Sequence, residues 1–340
     1  VRLRVASWLV AKFPAPLRGR CRVGECLPEM VGALLGERVN RAKVAVVSSG
    51  IGVEHDGDLP FVVEALRAYD MDAEIAIWDD GAVAWERFDL AVIRSAWDYV
   101  LRPGEFLAWA EATARVTRLW NPAPVVRWNS DKRYLVELAR HGVPVVPTRV
   151  VEPGQECGAA DFAAAGGVVV KPTVSGGARD TARYEPGRDA DALRHARMLL
   201  GEGRAVIVQP YLRRVEEGER ALIFFSGEFS HAILKGPVLT EAGVIDNSRD
   251  AHPGVTQYRP AEAEIRTARA ALAAVPGGDA LLFARVDLAL DDAGNPVVME
   301  VELIEPNLFL QSDPRAARRF AECVGAQRTG SSSISMVPLG

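Results

Sequence analysis

The sequence predicts a mixed α/β and α+β protein, with a parallel sheet in its N-terminal part and antiparallel hairpins towards its C-terminus. Three observations carry this. Between residues 43 and 113, apolar runs alternate with stretches of helical period, which is the pattern of βαβ units. From residue 219 onward, apolar runs come in pairs joined by tight turns, as antiparallel strands require. The chain has 340 residues, 49% hydrophobic and 25% charged, values of a globular protein of two or three domains.

Taken in order, the elements begin with "KVAVVSSG" at Lys43, an apolar run that ends in small polar residues and reads as a buried parallel strand. "LPFVVEALRAYD" places Leu59, Val62, Val63, Leu66 and Tyr69 on one helical face. "DAEIAIW" and "FDLAVIRSAWDY" are further strands, and "GEFLAWAEATARV" is a helix. In open α/β sheets ligands bind at the carboxyl ends of strands, so "SSGIGVEHDGD" and "RSAWDY" belong to a binding rim. A second unit opens near Trp128. "SDKRYLVELARHG" is a helix with Ser130 as N-cap and Gly142 as terminator. "VPVVPTRVV", "GGVVVK" and "RAVIVQPYL" are strands, and "DADALRHARMLLGEG" is an amphipathic helix between them. "ERALIFFSGEFSHAILKGP" is a hairpin turning at Ser226-Gly227. "AEAEIRTARAALAAV" is a helix, and "LLFARVDLALDDAGNPVVMEVELIEP" is a second hairpin turning at Asp292–Asn295.

Several function classes are excluded. Net charge is −5 and no basic stripe accompanies the aromatic residues, so nucleic acid is not a partner. No apolar run reaches the ~18–20 residues of a membrane span. Cys21, Cys26, Cys157 and Cys323 match neither a zinc pattern nor a disulfide framework, and suit reduced thiols in a cytoplasm. His55, His141, His195, His231 and His252 are dispersed, with no nucleophile triad around them; His231 is either near the site, beside Lys235, or structural. Residues 1–40 are Arg-rich and irregular and read as an extension outside the folded core, or as translation begun upstream. Residues 327–340 read as a flexible tail.

The chemistry is concentrated in acids set into core strands. Glu300 and Glu302 share one face of "VVMEVELIEP", with Cα atoms roughly 7 Å apart, and the hairpin brings Asp287 across from them. Three converging carboxylates repel unless a cation intervenes. A divalent ion such as Mg²⁺ takes such oxygen ligands; a salt-bridge network with Arg285 is the plainer alternative. Lysines are scarce, yet Lys132, Lys171 and Lys235 stand at strand or helix ends where they can meet phosphates. "SGGAR" after Lys171 offers small residues and free N–H groups to cover a phosphate, though it is neither a P-loop nor a dinucleotide fingerprint.

The order of these features resembles the ATP-grasp superfamily, over roughly residues 43–324. The resemblance implies an ATP-grasp fold whose two subdomains hold ATP, with an N-terminal parallel-sheet domain before them. It divides the chain into the extension (1–40), a substrate-side α/β domain (41–127), a small lid subdomain (128–208), a large subdomain with the metal site (209–326) and the tail (327–340). It implies that Lys132 and Lys171 contact phosphates and that Ser175, Gly176 and Gly177 form the mobile loop over them. Gln209, Tyr211 and Leu212 form the adenine hinge, and Glu216 or Glu219 binds ribose, with Glu216 favoured by its distance from the hinge. Arg220 and Lys235 face the transferring phosphate, with Arg285 beside them. Asp287, Glu300 and Glu302 hold Mg²⁺, or Mn²⁺ in its place. The chain departs from the family at Glu302, where many members have Asn followed by a Pro-Gly turn; Glu305 has no counterpart role.

"RSAWDY", "NPAPVVRWNSDKRYLVEL", "VVVKPTVSGGAR" and "MEVELIEPNLFL" are similar to an actinobacterial ATP-grasp group that contains D-cycloserine synthetase. That narrower resemblance implies a carboxylate activated as an acyl phosphate and a ring closed on it, with O-ureido-D-serine as substrate; an intermolecular amino-acid or peptide ligase is the alternative. A small zwitterionic substrate needs a cation and an anion. Arg94, Arg220 and Arg285 are candidates for the first, and Asp56, Asp58 and Asp98 for the second, with Trp97 lining the site. The expected partners are this amino acid and, left open, a second copy of the chain.

Overall fold

The computed structural model describes residues 41–248 and 251–328; the extension expected at 1–40, with Cys21 and Cys26, and the stretch 329–340 of the expected tail lie outside the described residues. The last two residues of the expected large subdomain and the first two of the tail, 325–328, continue a helix.

The first sheet contains β1 (Ala42–Ser48), β2 (Met71–Ile77), β3 (Leu90–Ser95) and β4 (Arg118–Trp120), all parallel, in the order β2-β1-β3-β4. Every residue of β3 is buried, as a strand covered on both faces should be. Helices α1 (Gly50–His55) and α2 (Leu59–Ala68) connect β1 to β2, and α3 (Pro103–Thr113) connects β3 to β4. α2 buries Leu59, Val62, Val63 and Leu66, the stripe read from the sequence. Ser49 caps α1, accepting from Gly52 N at 3.1 Å. A Cβ on Gly52 would stand 2.0 Å from Ser95 O, so only glycine lets α1 start this close to the end of β3.

The connecting segment forms α4 (Ala123–Asn129), which the sequence reading did not assign, and α5 (Tyr134–Arg140), which starts later than the helix expected from Ser130. Ser130 is therefore not an N-cap. It closes α4, its hydroxyl donating to Arg127 O at 2.9 Å, and Arg133 precedes α5. Between the two helices, Lys132 N donates to Thr173 O at 2.8 Å, a bond to a distant strand end that local sequence does not announce. Gly142 does end α5, at φ +79°.

The second sheet is antiparallel, in the order β5-β8-β6-β7: β5 (Arg149–Val151), β6 (Val168–Pro172), β7 (Ala182–Tyr184) and β8 (Val206–Pro210). Helix α6 (Asp189–Gly201) packs Ala192, Ala196 and Leu199 onto its valines. The third sheet, also antiparallel, runs β11-β10-β9-β12-β13, from β9 (Glu219–Phe225), β10 (Glu228–Lys235), β11 (Thr256–Tyr258), β12 (Phe283–Leu290) and β13 (Pro296–Glu302). Its first hairpin turns at Ser226 (φ 48°) and Gly227 (φ 81°), the two left-handed residues a twisted hairpin prefers. Helix α7 (Glu262–Ala273) packs against this sheet.

Two features of the third sheet position the site. Strand β13 is an edge strand, and side chains from the connecting segment satisfy its outer edge. Tyr134 Oη accepts from Val301 N and donates to Val301 O, both at 3.0 Å; Asn129 donates to Val301 O at 2.7 Å and accepts from Leu303 N at 2.8 Å. Further along, Val298 N donates to Pro144 O at 2.8 Å. An edge strand covered in this way holds its side chains in fixed directions. Helix α8 (Ala316–Arg328), which the sequence reading did not assign, then returns to the first sheet. Its Phe320 and Val324 share one core with Val44 and Val92 of the first sheet and Phe225 of the third.

Candidate active site

A cavity lies between the second and third sheets. At one end, strand β8 runs out through Gln209 and Pro210 into Tyr211 and Leu212, all on the cavity wall. Gln209 Nε2 donates to Thr148 Oγ1 at 2.9 Å, and Tyr211 N donates to Gly167 O at 2.9 Å, so the hinge backbone is fixed to the second sheet. Along one side, β6 presents Lys171, followed by Ser175, Gly176 and Gly177. Gly177 has φ +58°, and Ser175 Oγ bonds Arg179 O at 2.7 Å, which folds the loop on itself. Lys132 Nζ donates to Ser175 O from across the cavity. Burial pushes the Lys171 ammonium down from the ordinary lysine value, and the Glu300 carboxylate opposes that shift.

The opposite end is where the acids gather. In the β12–β13 register, Asp287 pairs with Glu300 and Arg285 with Glu302, with a bulge just after Asp287. Lys235 Nζ stands 2.7 Å from Asp287 Oδ2 and 3.1 Å from Glu219 Oε2. Lys132 Nζ stands 3.0 Å from Glu300 Oε1. Arg285, 1% exposed, donates to Asp287 Oδ1 at 2.9 Å and Oδ2 at 3.0 Å, and also binds Glu302. Burial alone would raise the Asp287 carboxyl, but Arg285 and Lys235 outweigh it and hold the group well below the carboxylate range. Burial pushes Glu302 up to about 7; Arg285 pulls it down, and the Glu300 and Asp287 charges add to the rise. Burial likewise raises Glu305 well above its ordinary value, with Glu302 adding to it.

The sequence profile of the D-cycloserine synthetase DcsG N-terminal domain matches residues 44–121. Cycloserine biosynthesis protein DcsG of Streptomyces lavendulae is 42% identical over 296 residues, which cover 83% of this chain and 97% of that protein. The chain belongs to the D-cycloserine synthetase family of ATP-grasp ligases. The crystal structure of D-cycloserine synthetase DcsG superposes with a TM-score of 0.78 at 38% identity, over 84% of this chain and 99% of that one. D-alanine–D-alanine ligase from Bacillus anthracis shares the fold at 16% identity, with a TM-score of 0.61, over 85% and 97% of the two chains. This member of the D-cycloserine synthetase family is therefore a ligase with the ATP-grasp fold that the sequence resembles, and enzymes of this fold use ATP with a divalent metal.

The donor set fits such a metal. Asp287, Glu300 and Glu302 offer oxygens only, the chemistry of a hard divalent cation. Burial is the main cause that raises Glu302, and the repulsion from Glu300 and Asp287 that adds to it is what a divalent cation would remove. Among the described residues these acids do not stand at metal-ligand spacing; each meets a lysine or arginine instead. The salt-bridge alternative is thus the arrangement in this structure, and ligation requires the cations to let go.

Most sequence-predicted residues converge on the cavity, and some do not. Arg220 is turned away. Neighbouring strand residues point to opposite faces, and with Glu219 facing Lys235, Arg220 points towards α7. There Nη1 donates to Gly218 O at 2.6 Å and Nε lies 3.4 Å from Glu264 Oε1. Glu216 is off the wall, its carboxylate accepting from Tyr211 Oη at 3.2 Å, whereas Glu219 lines the cavity. Arg285 lies beneath the acids, saturated by them and by Asn307 O at 3.1 Å, and is not on the wall.

The five N-terminal candidates also lie outside the cavity wall. All five are bonded within the protein. Arg94 Nη2 donates to Pro306 O at 2.8 Å, and Trp97 Nε1 to Glu305 O at 3.2 Å. Asp58, 5% exposed, accepts from Leu308 N at 3.1 Å and Leu310 N at 3.0 Å. Asp98 accepts from Trp78 Nε1 at 2.8 Å and Arg102 at 2.9 Å. Asp56, buried, accepts from Asp58 N at 2.9 Å. His231 Nε2 meets Leu308 O at 2.8 Å, so it belongs to the same framework. Of these, Arg94, Trp97, Asp58 and His231 hold the backbone of the loop that follows β13, from Glu305 to Leu310.

Sequence reasoning missed Asn129 and Tyr134, which hold β13, and His252, which lines the cavity near Lys235 and packs edge-on against Phe309 at 5.2 Å. Burial, with Arg285 and Lys235 nearby, pushes the His252 imidazole down to about 3, so it is neutral. An Asn one residue before a Ser and a Tyr in a helical stripe carry no local signal of a contact ~170 residues away.

Proposed function

We propose that this ligase is a cyclo-ligase of small amino acids and that it closes O-ureido-D-serine to D-cycloserine, forming ADP and phosphate. The observation that carries this is the convergence, at one end of one cavity, of Lys132, Lys171 and Lys235 with Asp287, Glu300 and Glu302. Phosphoryl transfer needs little covalent help from protein; it needs charge neutralisation and positioning. Leu212 and its hinge neighbours take the adenine, and Glu219, in place of Glu216, takes the ribose. Lys171, Lys132 and the Ser175–Gly177 loop hold the phosphates, and the small sheet closes as a lid that keeps water from the acyl phosphate.

Asp287, Glu300 and Glu302 would hold Mg²⁺, which neutralises charge on the transferring group when bound; Mn²⁺ can take the same oxygens. Lys235 is the side chain free to leave Asp287 and turn to that phosphate. Arg285 keeps the acids in place from below. The substrate carboxylate takes the phosphoryl group, the ureido nitrogen displaces phosphate to close the ring, and the carbamoyl group is lost to water.

The test is ADP release against a panel of small amino acids including O-ureido-D-serine, with product mass. A cyclised product from a single organic substrate is expected. ADP release only when a second amine is added would replace this reading by an intermolecular ligase, and a phosphorylated product that persists would replace it by a phosphotransferase.

A further inference from the structure

We propose that Glu305 is a specificity-determining residue of this enzyme and receives the cationic amine of the amino-acid substrate. The inference rests on the amino-acid ligase reading above. It starts from charge pairing at the reacting end. Lys132 is matched by Glu300, Lys235 by Asp287 and Glu219, and Arg285 by Asp287 and Glu302. Glu305 is left over: among the described residues its carboxyl has no hydrogen-bond or ion-pair partner, and only its backbone oxygen is bonded, to Trp97 Nε1. Glu305 stands three residues beyond Glu302, past the residues of the cavity wall, and its carboxyl feels the charges of Glu302, Lys132, Glu300 and Arg285. It is half-buried.

The other acids once available for an amine are committed. Both oxygens of Asp58 hold loop N–H groups, and Asp98 is taken by Trp78 and Arg102. Asp56 is 5% exposed, and its second oxygen is walled in without a partner. The position is also rigid. Trp97 and Arg94 bind the two successive carbonyls of Glu305 and Pro306, and these fix where the Glu305 side chain begins.

The experiment compares Glu305→Gln with the unsubstituted full chain, on O-ureido-D-serine and on its analogue lacking the α-amine, by ADP release. The unsubstituted enzyme should favour the amine-bearing substrate. In Glu305→Gln, kcat/KM for that substrate should fall about 30- to 100-fold, mostly through KM, the loss expected for one charge-assisted contact. The analogue should change less than about threefold and KM for ATP less than about twofold, since neither reads the lost charge. Glu305→Asp should recover part of the preference, and it carries the same comparison if Glu305→Gln does not fold. An equal loss on both substrates, or an unchanged preference for the amine, overturns the inference while leaving the cyclo-ligase reading intact. No ADP release by the unsubstituted enzyme with either compound overturns both.

Discussion

Charged side chains serve differently on the two sides of Arg285. Towards the cavity they meet one another: Lys235 with Asp287, Lys132 with Glu300, and Arg285 with Glu302. Towards the first sheet they meet backbone: Arg94 on Pro306 O, Asp58 on Leu308 N and Leu310 N, and Arg285 itself on Asn307 O. A side-chain pair can exchange partners when a phosphate or a cation arrives, because both members gain a new counter-charge. A side chain bound to a loop's peptide groups cannot turn away without leaving those groups unsatisfied. The cavity side is built for exchange, and the loop side is built for holding.

The largest test of that contrast is at the acids. Glu300→Gln should lower turnover by about 1,000-fold or more while leaving the unfolding midpoint within a few degrees, since Glu300 is half-buried and keeps its shape. Asp287→Asn should lose turnover as well, and about 3–5 kcal/mol of stability, because Lys235 and Arg285 are left buried without their counter-ion. ADP release and urea titration measure both. If Glu300→Gln kept a tenth of the turnover, exchange at this pair would not be part of the chemistry.

A smaller effect is expected on the holding side. Asp58→Ala frees two loop N–H groups, and kcat/KM for the amino-acid substrate should fall about 30-fold with nucleotide affinity unchanged. Calorimetry with a non-hydrolysed ATP analogue, beside steady-state kinetics, separates the two. A loss of nucleotide binding of the same size would erase the distinction between the regions.

The smallest effect sharpens the border of the cavity. Glu219→Gln should weaken nucleotide binding about tenfold and Glu216→Gln less than about twofold, because only Glu219 lines the wall. The reverse order would restore the assignment that spacing from the hinge favours.

Much of the fold was legible because it depends on near neighbours. The α2 stripe, the left-handed turn at Ser226-Gly227 and the β12–β13 hairpin follow from patterns a few residues long. The family's Lys–loop–hinge–acid order was legible for the same reason, since each part is a strand end with its own residues. Short strands β4, β7 and β11 are three residues each and are made by pairing, so no periodicity precedes them. The start of α5 at Tyr134 rather than after Ser130 was hidden too, because Lys132 N is taken by Thr173 O.

The sequence by itself determined that Glu300 and Glu302 share a face and that Asp287 stands across a hairpin from them. A two-residue period and a tight turn give the shared face and the two facing strands, but only the bulge just after Asp287, seen in the tertiary structure, sets Asp287 opposite Glu300 rather than Met299. Only the tertiary structure decided which face of β9 meets the cavity, and so that Glu219 is at the site and Arg220 is not. It alone decided that Arg94, Trp97 and Asp58 hold a loop more than 200 residues further along the chain. Those bonds join elements whose sequences constrain themselves but not one another, and they form only when the sheets have packed.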